Sequence, residues 1–176
     1  MAERAWIKGA QQGSVADLEL LFREHWPRAY RAAQLVTGDA AAAEDIAQEA
    51  FLAAVRNLDR FDRRRPFGPW LHRIVVNRAI DWSRARSARA EVAAEAAGDV
   101  AAVQPSLPFA PEPDSELGAA LMGLGVEQRA VIVLRFLLDL TPGEIAHALD
   151  VPRGTINSRL RRGLDALGSR ITKDLQ

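Results

Sequence analysis

The chain has no cysteine among its 176 residues. Disulfide bonds, cysteine-ligated zinc and thiol redox chemistry are therefore excluded. The sequence also has no apolar run that approaches the length of a membrane span. Its first residues, 1–13, lack the apolar core of a secretory signal. We therefore expect a soluble, cytoplasmic protein.

Signals for catalysis and cofactor binding are also missing. The three histidines, His25, His72 and His147, do not have the spacing of metal ligands. No strand pattern is visible, and no glycine-rich phosphate loop follows one. The acidic residues around Glu44 fall on an amphipathic helix rather than in an evident pocket. We expect no catalytic residue, no metal, no cofactor and no small-molecule substrate, so the chain is not predicted to be an enzyme.

The chain has no net charge, because 23 basic residues balance 23 acidic ones, but the charges are unevenly placed. Nine arginines lie within residues 60–89, against Asp62 and Asp81. Residues 90–117 contain six acids and no lysine or arginine, and residues 152–173 contain six bases and one acid. Two basic blocks thus flank an acidic segment, and each block can meet phosphate separately.

The second basic block has the pattern of a helix-turn-helix. Thr141, Pro142 and Glu144 predict a capping box at the start of one helix. Residues 150–152 break that helix, and a second helix from Arg153 is expected to bury Ile156, Leu160, Leu164 and Leu167. Its other faces carry the polar residues Arg153, Asn157, Ser158, Arg159, Arg161 and Arg162. The pattern favours a helix that enters a DNA major groove, and the alternative is an amphipathic helix with a solvated basic face.

Two further patterns lie in the N-terminal half. The helix expected over residues 41–60 has a wide apolar stripe, and Asp45, Gln48 and Leu52 share its polar side, with Glu49 at the border. The outward Leu52 indicates either a partner surface or a solvated face with one stray leucine. An arginine-rich connection, residues 61–67, then leads into a helix over residues 69–86.

The helix expected over residues 69–86 is equipped to bind single-stranded bases. Arg73, Asn77, Asp81 and Arg84 line one of its faces, and Trp70 and Trp82 lie on the same helix. Aromatic rings stack on bases, arginines neutralise phosphates and an exposed amide reads base edges. The alternative is that both tryptophans are core residues.

These patterns predict an all-α protein with two small helical domains. We assign residues 1–13 to an N-terminal tail, 14–88 to the first domain, 89–113 to a flexible acidic, proline-rich linker and 114–176 to the second domain, which contains the helix-turn-helix. Four prolines between residues 104 and 113 favour an extended chain there.

The motifs at residues 43–51, 67–77 with Asp81 and Arg84, and 140–160, together with residues 124–129, resemble the bacterial extracytoplasmic-function (ECF) sigma factors. These are small two-domain initiation factors of RNA polymerase. The resemblance implies two partners, promoter DNA and core RNA polymerase. The contacts with polymerase would be made to its β′ coiled coil and its β flap. It implies that Asp45, Gln48 and Glu49 contact polymerase, and that an apolar site on polymerase receives Leu52.

The resemblance also implies two DNA sites. The −10 element would meet the loop and the helix after it, at Phe61, Arg63, Arg64, Arg65, Arg73, Asn77 and Arg84. The −35 duplex would meet the last helix, at Arg153, Thr155, Asn157, Ser158, Arg159, Arg161 and Arg162. Among the latter, Asn157, Arg159 and Arg162 would lie near base edges, and Thr155 and Ser158 near phosphates.

Some features depart from the family pattern. Asn157 stands where many members have Arg or Lys. Asparagine favours adenine, whereas arginine favours guanine, so the preferred −35 sequence is expected to differ. The loop at Arg63 to Arg65 is unusually basic. Members are commonly held inactive by an anti-sigma factor, often at the membrane, but no residue of this chain points to such a partner. The alternative function is a helix-turn-helix regulator that binds duplex DNA without joining polymerase.

Overall fold

The computed structural model describes the backbone of residues 2–97 and 116–174, and the side chains of residues 2–93 and 117–170. All regular structure in these ranges is helical, as the sequence predicts. No helix within them combines the length and the apolar character that crossing a membrane requires.

The first residues form a packed helix, α1 (Ala2–Gln11), where the sequence suggested only a tail. The reason is Ile7, which is 1% exposed and anchors α1 against α2. Trp6 and Ala10 add partly buried apolar surface on the same side. Trp6, Ile7 and Ala10 recur at helical spacing, so the sequence carries an amphipathic signal for α1 that the assignment of a tail overlooked.

Two helices, α2 (Val15–Thr37) and α3 (Ala40–Arg56), follow with clear caps. Ser14 Oγ accepts a hydrogen bond from Asp17 N at 3.2 Å, which starts α2. Gly38 ends α2 in the left-handed region at φ 68°. Asp39 Oδ1 then accepts from Ala42 N at 3.0 Å and starts α3. These caps fix the turn between two long helices that pack side by side.

A short 3₁₀ helix (Leu58–Arg60) and an exposed loop lead to α4 (Phe67–Ala97). The helix is longer than expected and covers the first nine residues assigned to the linker, 89–97. Alanines fill this stretch, and alanine is the strongest helix former. The acidic, proline-rich segment 98–115, which holds the rest of the predicted linker, lies outside the described residues.

The second domain contains α5 (Glu116–Met122), α6 (Val126–Ile132), a π-helical turn (Val133–Leu137), α7 (Pro142–Leu149) and α8 (Arg153–Asp174). The turn is closed by Leu138 N donating to Val133 O at 3.2 Å. The core of the second domain includes Val131, Leu134, Ile145 and Ile156, all fully buried. The domain packs on the first one, since α6 contacts α2 and α4, and α7 contacts α4.

Candidate docking and nucleic-acid interfaces

The helix-turn-helix has the predicted capping box. Thr141 Oγ1 accepts from Glu144 N at 3.3 Å, and Glu144 Oε2 accepts from Thr141 N at 2.8 Å. The hydrogen bonds from the Thr141 hydroxyl and backbone lower the pKa of Glu144. Pro142 occupies the first turn of α7. Asp150 ends α7 at φ 53°, which turns the chain into α8.

The inward row of α8 differs from the prediction at one position. Ile156, Leu160 and Leu167 are buried as expected, but Leu164 is 44% exposed. Gly163 takes the inward position because α8 lies close to α6 there. A Cβ on Gly163 would lie only 2.8 Å from Ile132 Cδ1. The prediction for Leu164 is therefore wrong, since spacing patterns count apolar side chains and overlook a buried glycine.

Most of the predicted −35 residues lie on the outer faces of α8. Arg153, Asn157, Arg161 and Arg162 are exposed, and Thr155 and Ser158 are half-buried. Arg159 differs, because its guanidinium forms an ion pair with Glu127 of α6 and its side chain is only 22% exposed. Among the described side chains of α8, the exposed Arg153, Arg161 and Arg162 lie before and after Arg159 along the helix.

The loop before α4 presents Arg63, Arg64 and Arg65 to solvent. Phe61, expected at the −10 DNA, is 8% exposed. Its ring lies 4.7 Å from that of Trp70 and 5.7 Å from that of Phe67, measured between ring centroids. The phenyl face is covered, so Phe61 holds the loop to the domain core rather than offering a stacking surface. The half-buried Trp70 also packs in this aromatic cluster.

The other predicted −10 residues lie along α4, and the second domain contacts them. Asn77 Nδ2 donates to Ala148 O at the end of α7, at 3.1 Å. Arg73 remains exposed and lines a cleft of about 440 Å³ between α4 and α7, opposite His147. Arg84 forms an ion pair with Glu127. The amide and one arginine of this face are thus engaged within the protein.

Glu127 joins the two predicted DNA sites. Its carboxylate pairs with Arg84 of the −10 set and with Arg159 of the −35 set. The hydrogen bond from Arg84 lowers the pKa of Glu127, burial opposes this shift, and the charge of Arg159 adds to the lowering. Sequence reasoning missed this role, since the partners lie 43 and 32 positions away along the chain.

The predicted polymerase contact lies on the outer face of α3. Asp45, Gln48 and Glu49 are exposed, and Leu52 is 55% exposed. Glu49 also pairs with Arg78 of α4 at 2.6 Å. The sequence left open whether Leu52 marks a partner surface or a stray leucine.

Leu52 is not isolated in the structure. It lines an apolar groove between α2 and α3, of about 290 Å³, whose walls also include Leu18, Phe22, Gln48, Phe51 and Val55. Phe22 and Val55 are themselves 39% and 38% exposed. An apolar groove edged by Gln48 and the neighbouring acids is typical of a surface that binds another protein.

Comparison with known proteins identifies both domains. Residues 21–89 match the family model for sigma-70 region 2, and residues 114–167 match that for sigma-70 region 4. The helix α1 lies before the first match. The chain is 32% identical over 172 residues to the ECF RNA polymerase sigma factor SigW of Bacillus subtilis (strain 168), covering 92% of this chain and 90% of SigW.

Two other proteins are similar over most of the chain. SigE of Mycolicibacterium smegmatis, another ECF sigma factor, is 35% identical over 167 residues, covering 92% of this chain and 64% of SigE. The solved structure of CnrH in complex with the cytosolic domain of CnrY superposes with a TM-score of 0.71 at 26% identity and covers 99% of both chains. With a region 2 domain, a region 4 domain and similarity to SigW over 92% of its length, this chain belongs to the ECF sigma factors, the two-domain group of alternative sigma factors that act in transcription initiation.

Proposed function

We propose that this chain binds core RNA polymerase through the outer face of α3 and directs it to promoters through α4 and α8. The domain limits we assign are residues 14–88 for polymerase docking and the −10 element, and 114–176 for the −35 element. The observation that carries the docking proposal is the apolar groove at Leu52 beside an acidic face.

The docking surface combines two forces. Asp45, Gln48 and Glu49 offer carboxylate and amide groups to basic and polar partners, and electrostatic complementarity of this kind steers association and fixes register. Leu52 and the groove beside it offer apolar area that is exposed in the free protein. Burial of a leucine side chain contributes about 1.5–3 kcal/mol. The polymerase's β′ coiled coil is the partner we assign to this surface.

The two DNA sites would bind different forms of DNA: α4 and its preceding loop bind a single strand, and α8 binds duplex. On α4 and the loop before it, Arg63, Arg64, Arg65, Arg73 and Arg84 would neutralise phosphates of the −10 strand, and Asn77 would bind an unstacked base. On α8, Arg153, Thr155, Asn157, Ser158, Arg159, Arg161 and Arg162 would meet the −35 duplex in the major groove. Phe61 supports the loop from within the core.

Promoter binding requires the two domains to separate. In the packed arrangement one N–H of Asn77 is committed to Ala148 O, and Arg84 and Arg159 share the Glu127 carboxylate. Loading onto polymerase would replace these internal contacts by contacts with polymerase and DNA. Any partner that stabilises the packed arrangement would therefore hold the protein inactive.

We assign the protein to the cytoplasm, where polymerase and promoter DNA are found, and we assign it no catalytic step of its own. An anti-sigma factor is a candidate partner, because the sigma factor RpoE from Bartonella quintana, which has a similar fold, was solved in complex with the anti-sigma factor NepR. An anti-sigma factor anchored in a membrane would hold the chain there until release.

The docking proposal is tested by the affinity of the chain for core polymerase. Asp45→Arg should weaken binding by about 2–5 kcal/mol, as charge reversal at a partly desolvated contact does. Leu52→Asp should weaken it by at least the apolar contribution of the leucine. Fluorescence anisotropy with labelled chain and purified core polymerase measures both affinities.

Val92→Asp is the matched control for Leu52→Asp, because Val92 is an equally outward apolar residue, 66% exposed, at the far end of α4. Circular dichroism should show the same helical content in all variants. Unchanged polymerase affinity in both Asp45→Arg and Leu52→Asp would remove the docking assignment.

A further inference from the structure

We propose that α1 is a clamp that positions the arginine loop before α4, and that Glu3 and Gln11 are its two positioning residues. This inference rests on the proposed role of the loop at the −10 strand. It concerns a helix that lies before the matched region 2 sequence.

The first contact holds the end of the loop. Phe67 N, at the start of α4, donates to Glu3 Oε1 at 3.3 Å. The first N–H groups of a helix have no partner within it, and a carboxylate there also meets the positive end of the helix dipole. Glu3 therefore supplies, from a separate helix, the cap that α4 does not receive from its own preceding residues. Nε2 of His25 lies 3.3 Å from the same carboxylate oxygen without hydrogen-bond geometry.

The second contact holds the beginning of the loop. Gln11 Nε2 donates to Leu58 O at 2.8 Å and to Phe61 O at 3.1 Å. Leu58 is the first residue of the 3₁₀ helix, and Phe61 directly follows its last residue. One amide group thus tethers two backbone carbonyls just before the loop begins, and Leu58 O also accepts from Phe61 N.

The two contacts lie on one face of one helix. Glu3, Ile7 and Gln11 are spaced by four residues each and so form one row of α1. The buried Ile7 sits between the two polar residues and fixes the row against the first domain. At a rise of about 1.5 Å per residue, Glu3 and Gln11 stand roughly 12 Å apart. This rigid spacer sets the separation of the two ends of the loop.

Between these fixed ends, residues 62–66 are exposed. Asp62 shapes this segment, because its Oδ1 accepts from Arg64 N and its backbone O accepts from Arg65 N, both at 2.9 Å. A turn held at both ends presents its three arginines in a defined direction. Since this preorganises the loop, DNA binding loses less conformational entropy.

The test compares Gln11→Glu with Gln12→Glu in the full-length chain. Gln11→Glu keeps the size of the side chain but removes the N–H donors, whereas Gln12 is an exposed neighbour on which the same substitution is made. Hydrogen–deuterium exchange should be about fivefold to tenfold faster at residues 62–68 in Gln11→Glu, the effect of losing one to two hydrogen bonds. Exchange in the interior of α3 and α4 should match the wild type.

The second measurement uses holoenzyme and a fluorescent single-stranded −10 oligonucleotide taken from a fragment that the wild-type holoenzyme transcribes. Gln11→Glu and Glu3→Ala should lower its affinity by up to about tenfold, while the affinity for core polymerase stays unchanged. Glu3→Gln retains an acceptor for Phe67 N and should recover most of the binding lost in Glu3→Ala.

Each outcome decides the inference. Loop exchange in Gln11→Glu that equals the wild type overturns the clamp. Faster loop exchange with unchanged binding of the −10 strand overturns its positioning role. A wild-type holoenzyme that transcribes no fragment refutes the proposed function and supplies no probe strand, and loop exchange then decides the clamp alone.

Discussion

At the scale of single residues, His72 is a titratable side chain that the fold buries. It lies on α4, is 4% exposed, and its Nε2 has no hydrogen-bond partner. Burial lowers its pKa to about 4, and the nearby charges of His25 and Arg28 add to the lowering. The imidazole is therefore neutral in the folded protein at pH values where an unfolded chain would begin to protonate it.

We expect the free energy of unfolding to fall as the pH falls from about 6.5 to 4. The unfolded chain binds the His72 proton below its ordinary pKa of 6.5, whereas the folded protein does not bind it until about pH 4. The contribution of the neutral His72 to the free energy of unfolding is therefore fully present above pH 6.5. Acidification from pH 6.5 to 4 removes roughly 3 kcal/mol of it. Urea unfolding at several pH values measures this loss.

His72→Leu should remove most of this pH dependence, and His147→Leu, at an exposed position on α7, should retain it. The groups with lowered carboxyl pKa, Asp39, Glu127 and Glu144, lose their contributions only at lower pH, below their ordinary values of 3.8 to 4.5. An equal pH slope in the wild type and in His72→Leu would contradict this account of the buried imidazole.

At the scale of elements, sequence patterns predicted what local spacing and capping determine. The capping box at Thr141, the beginning of α8 at Arg153 and the apolar face of α3 are confirmed, because each depends on residues within one or two helical turns. The helix α1 and the inward Gly163 were missed. The burial of Gly163 depends on its contact with α6, and this information lies in distant residues. The amphipathic spacing of Trp6, Ile7 and Ala10 was local and was overlooked.

In the candidate sites too, local spacing predicted which side chains are exposed, but not which ones have distant partners. Exposure of Asn157, Arg161 and Arg162 on α8 and of Asp45 and Leu52 on α3 agrees with the helical patterns. The burial of Phe61 and the pairing of Arg159 were not visible, because the partners Trp70 and Glu127 are placed by tertiary packing. Base reading by α8 remains a prediction that the exposed residues support.

We expect Asn157→Ala and Arg162→Ala to lower affinity for the −35 duplex by about 1–3 kcal/mol each and to relax preference at one or two base pairs. Arg170→Ala is the control, because its guanidinium donates to Gly123 O at 3.0 Å in the second domain and should not affect which bases are chosen. Selection from a randomised −35 library measures the preference. If both α8 variants select the wild-type sequence, the exposed arginines serve only to bind phosphates.

At the scale of the whole molecule, the two domains are held together by contacts that use residues we propose to bind DNA. Asn77 donates to Ala148 O, and Glu127 connects Arg84 to Arg159. In a free chain with this arrangement, the face of α4 that we propose for the −10 element lies against α7. We expect such contacts to couple release of the second domain to exposure of both proposed DNA sites.

We expect Glu127→Gln to open this arrangement and to raise the affinity of the free chain for duplex −35 DNA. Partly exposed ion pairs contribute about 0.2–1 kcal/mol each, so the gain should be about twofold to fivefold. Small-angle scattering should show a larger radius of gyration. Glu24→Gln, at an exposed position on α2, is the control. Unchanged dimensions and unchanged DNA affinity in Glu127→Gln would show that Glu127 does not hold the domains together.

The central claim is that this chain directs core polymerase to promoters, and run-off transcription on genomic fragments tests it most directly. Core polymerase with the wild-type chain should give discrete transcripts whose start sites share upstream −10 and −35 elements. Asp45→Arg should abolish these transcripts and Val92→Asp should retain them. Transcription no more specific than that of core polymerase alone, with a chain that is folded by circular dichroism, would contradict the account.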